Sequence, residues 1–416
     1  MKRLLAVGLI LCLLLTGCGG NDGEPSAPTA TNTATPTATE SGTVVPKPTA
    51  TTQNTPEFSP TEDNTGLSVL FINVGYGDAI LIQVNGKNYM VDTGAKEAVF
   101  SLYRALALQG VTKLDGLFLT HTHNDHVGGA TALALRCGID TLYSAQISMN
   151  KDSGKNVIDE LAQEIGLPHT KLKAGDIIDI GSGAYFEVLG PLSYNGDDDN
   201  DNSLVMKLHA GGVTVLLTGD MQFAEEQTLL DAGVDVKTDV LKVGNHGNPD
   251  ATSDAFAKAA APAYAMISTS TAQDDDTPNP RVLTALVEAE VSVTQDFKCG
   301  ILLTAKGGEV TVSNPEAPKA SADIAIQEID KEMQTITLVN NGADADLSGY
   351  FIISQKGNEI FVFPQGAVLA AGKTLTVACR GGVGDYIWND SKVWSKKSDE
   401  AGLLFDAYGN ELSQSF

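Results

Sequence analysis

Apolar residues enter the chain in short runs separated by glycine and asparagine, and the period of those runs predicts the elements. Residues 67–74 (LSVLFINV) and 79–84 (AILIQV) flank the turn Gly75–Gly77 and read as strands; NYMVDTG, 88–94, is another that ends on Asp92. The period lengthens to that of a helix over 98–109, and LDGLFLT, 114–120, is a buried strand running into a polar loop before a helix over 128–137. VTVLLTGD (213–220) and DVLKVGNHG (239–247) are further strands that stop on polar residues. Strands alternating with helices imply an α/β domain, whose sites lie at the carboxyl ends of its strands. Beyond Pro318 the period shortens: IQEIDKEMQTITLVNNG, GNEIFVFPQGAVLAAGKTLTVACRG and the stretch from Trp388 to Asn410 give short strands between Gly and Asn turns, which predict a β-sandwich.

The amino-terminal segment has a different composition. MKRLLAVGLILCLLLTGCGG places Lys2 and Arg3 before an apolar run, Leu4 to Leu15, that is too short to span a bilayer, as in an export signal. Its LTGC, ending at Cys18, resembles the bacterial lipoprotein lipobox, which implies cleavage before Cys18 and lipid attachment to it. Several acyl chains hold a protein firmly to a membrane. Residues 19–65, rich in Thr, Pro, Ala and Ser, lack the apolar surface needed to offset ordering and read as a disordered tether. The expected organisation is signal 1–17, tether 18–65, α/β domain 66–315 and β-sandwich 319–416. Cys137, Cys299 and Cys379 remain, enough for one pair at most and no disulfide framework.

Fifty-two acidic residues against 27 basic ones give a formal charge of −25. A protein that coats nucleic acid through basic surface is thereby excluded, whereas one that grips phosphate through metal ions is not.

Three of the six histidines fall in LTHTHNDHVGG, residues 119–129. His121 and His123 alternate along a loop, while Asp125 and His126 are adjacent and point differently, so one loop offers two ligand pairs to two points. Imidazole and carboxylate suit zinc, manganese or iron. A closed structural zinc site normally draws on cysteine, and none is near in sequence. Asp220 and His246, each at a strand end, supply further ligands.

This pattern resembles the metallo-β-lactamase superfamily. More specifically, INVGYGDA, MVDTG, LTHTHNDHVGG, NSLVMKL, LLTGD and LKVGNHG, spread over about 67–314, are similar to the extracellular hydrolase domain of ComEC-type competence proteins. The resemblance implies an αββα sandwich with two divalent metals, zinc or manganese, at one edge. Carried over, His121 and His123 hold the first metal, Asp125, His126 and His246 the second, and Asp220 bridges them. Asp125, Asp220 and His246 carry the catalytic role, and Asp92 orients the histidine loop. Where many members place another histidine, this chain has GDDDNDNS, 196–203; Asp199, Asn200 or Asn202 can fill that place, and oxygen there favours manganese. Asn73, Tyr76 and Asn245 also depart from the competence pattern, and Lys242 and Asn245 are candidates for an extra ligand or a substrate contact. His169 reads as a surface residue, His209 as a strand-face residue, and the acidic runs 197–199 and 274–276 as solvated loops.

The carboxyl-terminal segment, over 323–416, resembles the lamin-tail domain, an immunoglobulin-like module; its Trp388 and Trp394 read as packing residues. Such modules accompany exported nucleases and hydrolases, so a spacer, or a module binding a surface polymer or protein, is expected. The whole reads as an outward-facing, lipid-anchored metal-dependent hydrolase of phosphodiesters, with extracellular DNA or nucleotides as substrate. Two other readings stay open: hydrolysis of a lactone, β-lactam or other ester, and a surface-binding lipoprotein with a vestigial metal site.

Overall fold

In the first sheet, side chains alternate between two buried faces. A computed structural model of the chain describes residues 66–415 apart from 147, 398 and 399; the signal, Cys18 and the Thr/Pro-rich segment lie outside the described residues. Leu67, Val69 and Phe71 of strand Gly66–Phe71 point to one side, Leu70 to the other. Asn85 and Gly86, both with positive φ, make the two-residue turn joining Ile80–Val84 to Lys87–Val91, as an Asn-Gly pair favours. From Lys87–Val91 the pairing turns parallel, through Gly116–Leu119 and Leu142–Ala145 to His169–Leu172. On the other flank Ile301–Lys306 and Glu309–Ser313 complete eight strands.

A seven-stranded sheet lies against it, ordered from Glu290–Val293 through Tyr264–Ile267, Val240–Lys242, Val213–Leu217, Val205–Ala210 and Ala184–Gly190 to Ile177–Gly181. Val69, Ile82 and Phe118 of the first sheet meet Phe186, Leu208 and Val215 of the second in a common core. Fully burying each such side chain contributes roughly 1.5–3 kcal/mol. The outer face of the first sheet packs on helices Val99–Leu108, Ala130–Arg136 and Val157–Ile165. That of the second packs on Phe223–Asp231, Asp254–Ala260 and Pro280–Ala285. The expected αββα sandwich is what forms. Its helix after the histidine loop differs: Asn124–Val127 already forms a turn, and Ala130–Arg136 follows. Gly129 lies so close to the Thr93 carbonyl that no larger residue would fit.

A second sandwich follows from Ile324. Ile324–Asp330, Thr335–Asn340, Thr374–Ala378 and Tyr386–Ile387 face Ile360–Val362, Phe351–Ser354, Gly402–Phe405 and Glu411–Ser415. Ile336, Phe361, Val377 and a fully buried Trp394 fill the space between them, and Trp388 is half-buried against that ring, with centroids 5.6 Å apart. Its outer face does not stand free. Phe351, Ile353 and Phe405 belong to the same buried cluster as helix Val99–Leu108. Phe100 and Phe405 lie 4.7 Å apart, Tyr103 and Phe351 4.9 Å. The expected spacer is therefore a packed layer behind the helices, because strands Phe351–Ser354 and Gly402–Phe405 are apolar on both faces. Cys137, Cys299 and Cys379 are buried and unpaired.

Candidate metal centre

Two pairs of parallel strands, one in each sheet, end at one edge. Lys87–Val91 delivers Asp92, Gly116–Leu119 leads into His121, Val213–Leu217 into Asp220, and Val240–Lys242 into His246. Asp92 has a left-handed backbone (φ 56). Its Oδ1 accepts the Thr120 amide at 2.8 Å, and its Oδ2 accepts the Thr120 hydroxyl at 2.7 Å and lies 2.8 Å from His126 Nδ1. The glycine turn before it clamps the same loop. A Cβ on Gly77 (φ 134) would stand 2.5 Å from the Asp125 carbonyl oxygen.

With Nδ1 of His126 given to Asp92 and Nδ1 of His246 donating to the Ser268 carbonyl at 2.9 Å, both Nε2 atoms turn inward, 3.3 Å apart. Asp220 Oδ2 is 3.0 Å from each, and Asp125 Oδ2 is 3.2 Å from His246 Nε2. Facing lone pairs at this distance require a proton or a cation between them. Ligands around a tetrahedral ion with bonds of about 2.0–2.1 Å lie roughly 3.4 Å apart, which these spacings approach. A second group meets it: His121 Nε2 is 3.0 Å from His123 Nδ1 and 3.8 Å from the same Asp220 oxygen. Both groups have the ligand spacing of a metal site, and they share Asp220. The donors present fit two divalent ions.

The electrostatics agree. Although burial opposes it, the Asp220 and Asp92 carboxylates raise His126 well above the ordinary imidazole range, and Asp220 and Asp125 raise His246 to about 9. Burial, with His126 beside it, holds His121 well below that range. Asp220 lies well below the usual carboxylate range: burial works against this, but His126 and His246 outweigh it. Behind Asp220 sits Lys242, whose Nζ pairs with Asp78, donates to the Gly219 carbonyl at 2.9 Å and stands 3.6 Å from Asp220 Oδ1. Tyr76 covers His246, ring centroids 4.3 Å apart, and its hydroxyl accepts from Asn248 at 2.9 Å.

Of the residues singled out in the sequence, His121, His123, Asp125, His126, Asp220 and His246 come together, with Asp92 beneath them. Asp199 comes close but on the far side: its Oδ2 is 3.7 Å from His123 Nε2, whereas Nδ1 faces His121. Asn202 is not at the site, because its amide is spent on Asn195 and the Asp198 carbonyl within its own loop. Lys242 is 1% exposed and so cannot be a substrate contact. Asn245 donates to Asp250 and braces the His246 loop. His169 is not a free surface residue. It bridges Ser144 at 2.9 Å and Asp159 at 3.1 Å, between strand and helix. His209 stacks on Tyr185 at 4.2 Å along its strand. Sequence reasoning missed Asp78, Ser203 and Ser268. Asp78 had a signal, since it follows the glycine turn that abuts the ligand loop; the two serines carried none.

Residues 72–271 match the family described as Metallo-beta-lactamase superfamily, and residues 317–415 the Lamin Tail Domain. The chain is 27% identical over 271 residues to ComE operon protein 3 of Bacillus subtilis, covering 61% of this chain and 35% of that one. It is 32% identical over 203 residues to Recombination protein 2 of Haemophilus influenzae, covering 47% and 23%. With Exodeoxyribonuclease WalJ of Streptococcus pneumoniae it shares 25% identity over 173 residues, covering 41% and 62%. The chain thus spans about a third or less of the length of the ComE and recombination relatives. Ligand geometry at the strand ends and these matches lead to one assignment: the chain carries a divalent-metal-binding domain of the metallo-beta-lactamase superfamily, homologous to the ComE-type competence proteins, followed by a lamin tail domain.

Proposed function

We propose that this metallo-hydrolase cleaves phosphodiester bonds in nucleic acid outside the cell, on a lipid anchor at Cys18. The observation that carries the hydrolytic part is the sharing of Asp220 Oδ2 between two ligand groups, His121–His123 and Asp125–His126–His246. Divalent ions held there, zinc or manganese, would supply Lewis acidity to a phosphoryl group and to the attacking water. The chain's own residues set the stage for that chemistry. Asp92 and the Ser268 carbonyl fix the tautomers of His126 and His246, leaving each Nε2 free to ligate. Asp199 lies against Nε2 of His123 and leaves Nδ1 for the first ion, so only two imidazoles and Asp220 serve it, and manganese, which accepts oxygen and water, suits that place. Tyr76 shields His246 from solvent on one side. The nucleic-acid part rests on the exodeoxyribonuclease and recombination names among the relatives and on the homology to ComE-type proteins. The protein carries a net charge of −25, and neutralisation of the phosphate by the ions would let this acidic protein act on an acidic substrate.

The test is a substrate panel with the full-length chain in manganese and in zinc: single- and double-stranded DNA, RNA, a phosphodiester ester, a lactone and a β-lactam. Metal-dependent cleavage of the nucleic acid or the phosphodiester alone is the expected result. Turnover of the lactone or β-lactam with none of the phosphate esters would replace this reading with the ester one.

A further inference from the structure

Resting on the two-metal reading above, we infer that Lys242, held by Asp78, is a positioning residue that presents a single oxygen of Asp220, Oδ2, to both metal positions. Lys242 is the last residue of its strand, in register with Leu217 of the strand that delivers Asp220. Its side chain is 1% exposed, as is that of Asp78. A buried ammonium is costly, and an apolar side chain of similar length would fill the same space without a desolvation penalty. Packing alone therefore does not account for lysine here.

The partners show what the charge does. Lysine has three donors. One meets Asp78, one the Gly219 carbonyl at 2.9 Å, and the remaining direction is toward Asp220 Oδ1 at 3.6 Å. Gly219 and Asp220 are consecutive, so one ammonium holds both the turn and the carboxylate it carries. Asp220 Oδ1 has no hydrogen-bond partner, and the ammonium is the positive charge facing it. Oδ2 points the opposite way, 3.0 Å from His126 and His246 and 3.8 Å from His121. From the backbone side, the Ser203 hydroxyl accepts the Asp220 amide at 3.0 Å. The carboxylate is thus held at both ends. Without Lys242 it can turn and give both oxygens to the His126–His246 group, which leaves the His121–His123 group short of its third protein ligand.

Removing the Lys242 charge alone should, by simple electrostatics, tighten metal binding, so Lys242 and Asp78 are removed as a neutral pair. Loss of positioning should then weaken binding at one site. The experiment is a Mn2+ titration of the full-length chain and of Lys242→Met/Asp78→Asn, which removes both buried charges together. Stoichiometry is read by calorimetry, and electron paramagnetic resonance is recorded at two equivalents. The wild-type chain should bind two ions and give the exchange-coupled spectrum of a bridged pair. The variant should keep one ion at near wild-type affinity, lose at least about tenfold at the other, and lose the coupling. A wild-type isotherm and coupled spectrum in the variant, or tighter binding, would overturn the inference. A wild-type chain that binds a single ion would instead sink the two-metal reading beneath it. Should the double variant not fold, Lys242→Met alone carries the test. Electrostatics then predicts tighter binding, so a loss of at least about tenfold at one ion supports the inference; an unchanged or tighter isotherm overturns it.

Discussion

Asp220 is the residue on which the chemistry turns. It alone belongs to both ligand groups, so Asp220→Ala should lose rate on the order of a hundred- to a thousand-fold or more, and excess manganese should not restore it. His123→Ala touches one group and should be partly rescued, since mass action refills a weakened site. Rates for both variants against manganese concentration decide the point; equal rescue would mean that Asp220 does not bridge. Away from the centre, Glu225 makes a separate pH prediction. Burial, with Asp201 nearby, pushes its carboxyl up to about 7, although the Leu192 amide bond pulls the other way. The folded state therefore keeps a proton that the unfolded chain releases near the ordinary value of 4.5. Stability from this group is complete below that value, falls as pH climbs to about 7, and is level beyond. Urea midpoints measured from about pH 5 to about pH 8 should show that slope in the wild type and a shallower one in Glu225→Gln.

At the scale of elements, the consequential contact is between helix Val99–Leu108 and the sandwich strands Phe351–Ser354 and Gly402–Phe405. Phe351 and Phe405 stack at 5.0 Å, and Phe100 meets Phe405 edge-on at 4.7 Å. Arg104 adds a hydrogen bond to the Tyr408 carbonyl at 3.0 Å. Phe405→Ala should cost about 3–5 kcal/mol, as large-to-small changes in a core do. Because the cluster continues into the helices of the hydrolase domain, thermal unfolding of the wild type should be one transition reporting on both domains. Calorimetry of the variant should show a lowered midpoint for both. An unshifted hydrolase-domain transition would mean that the two domains unfold independently. This same helix layer lies behind the ligand loop. Helix Ala130–Arg136 follows that loop directly, and Tyr103 donates to the Ala132 carbonyl at 2.7 Å.

For the molecule as a whole, charge and attachment matter most. No helix among the described residues is long and apolar enough to cross a membrane. Membrane attachment in our reading therefore depends on Cys18 and on the Thr/Pro-rich residues after it, all outside the described part of the chain. Cys18→Ser should release the protein from the membrane fraction, or leave it as an uncleaved precursor. A processed band of wild-type size that still sediments with membranes would exclude lipid attachment as the anchor.

Local pattern alone determined a good deal of this protein. Strands, helices and the change of period after Pro318 were legible because a buried face repeats every two or every 3.6 residues. The metal loop was legible because three histidines and an aspartate within six residues have few other uses. What the chain could not reveal is whatever depends on direction in space. That Asp199 addresses the far nitrogen of His123, that Asn202 turns into its own loop, and that Lys242 is sealed behind Asp220 all follow from which strand ends neighbour one another. The second sandwich makes the same point on a larger scale. Alternation predicted its strands, but a strand apolar on both faces looks the same whether its outer face meets solvent or a helix. Only the tertiary structure shows Phe351 and Phe405 buried against Phe100 and Tyr103, because contacts between residues some 250–300 positions apart leave no periodic trace in the sequence.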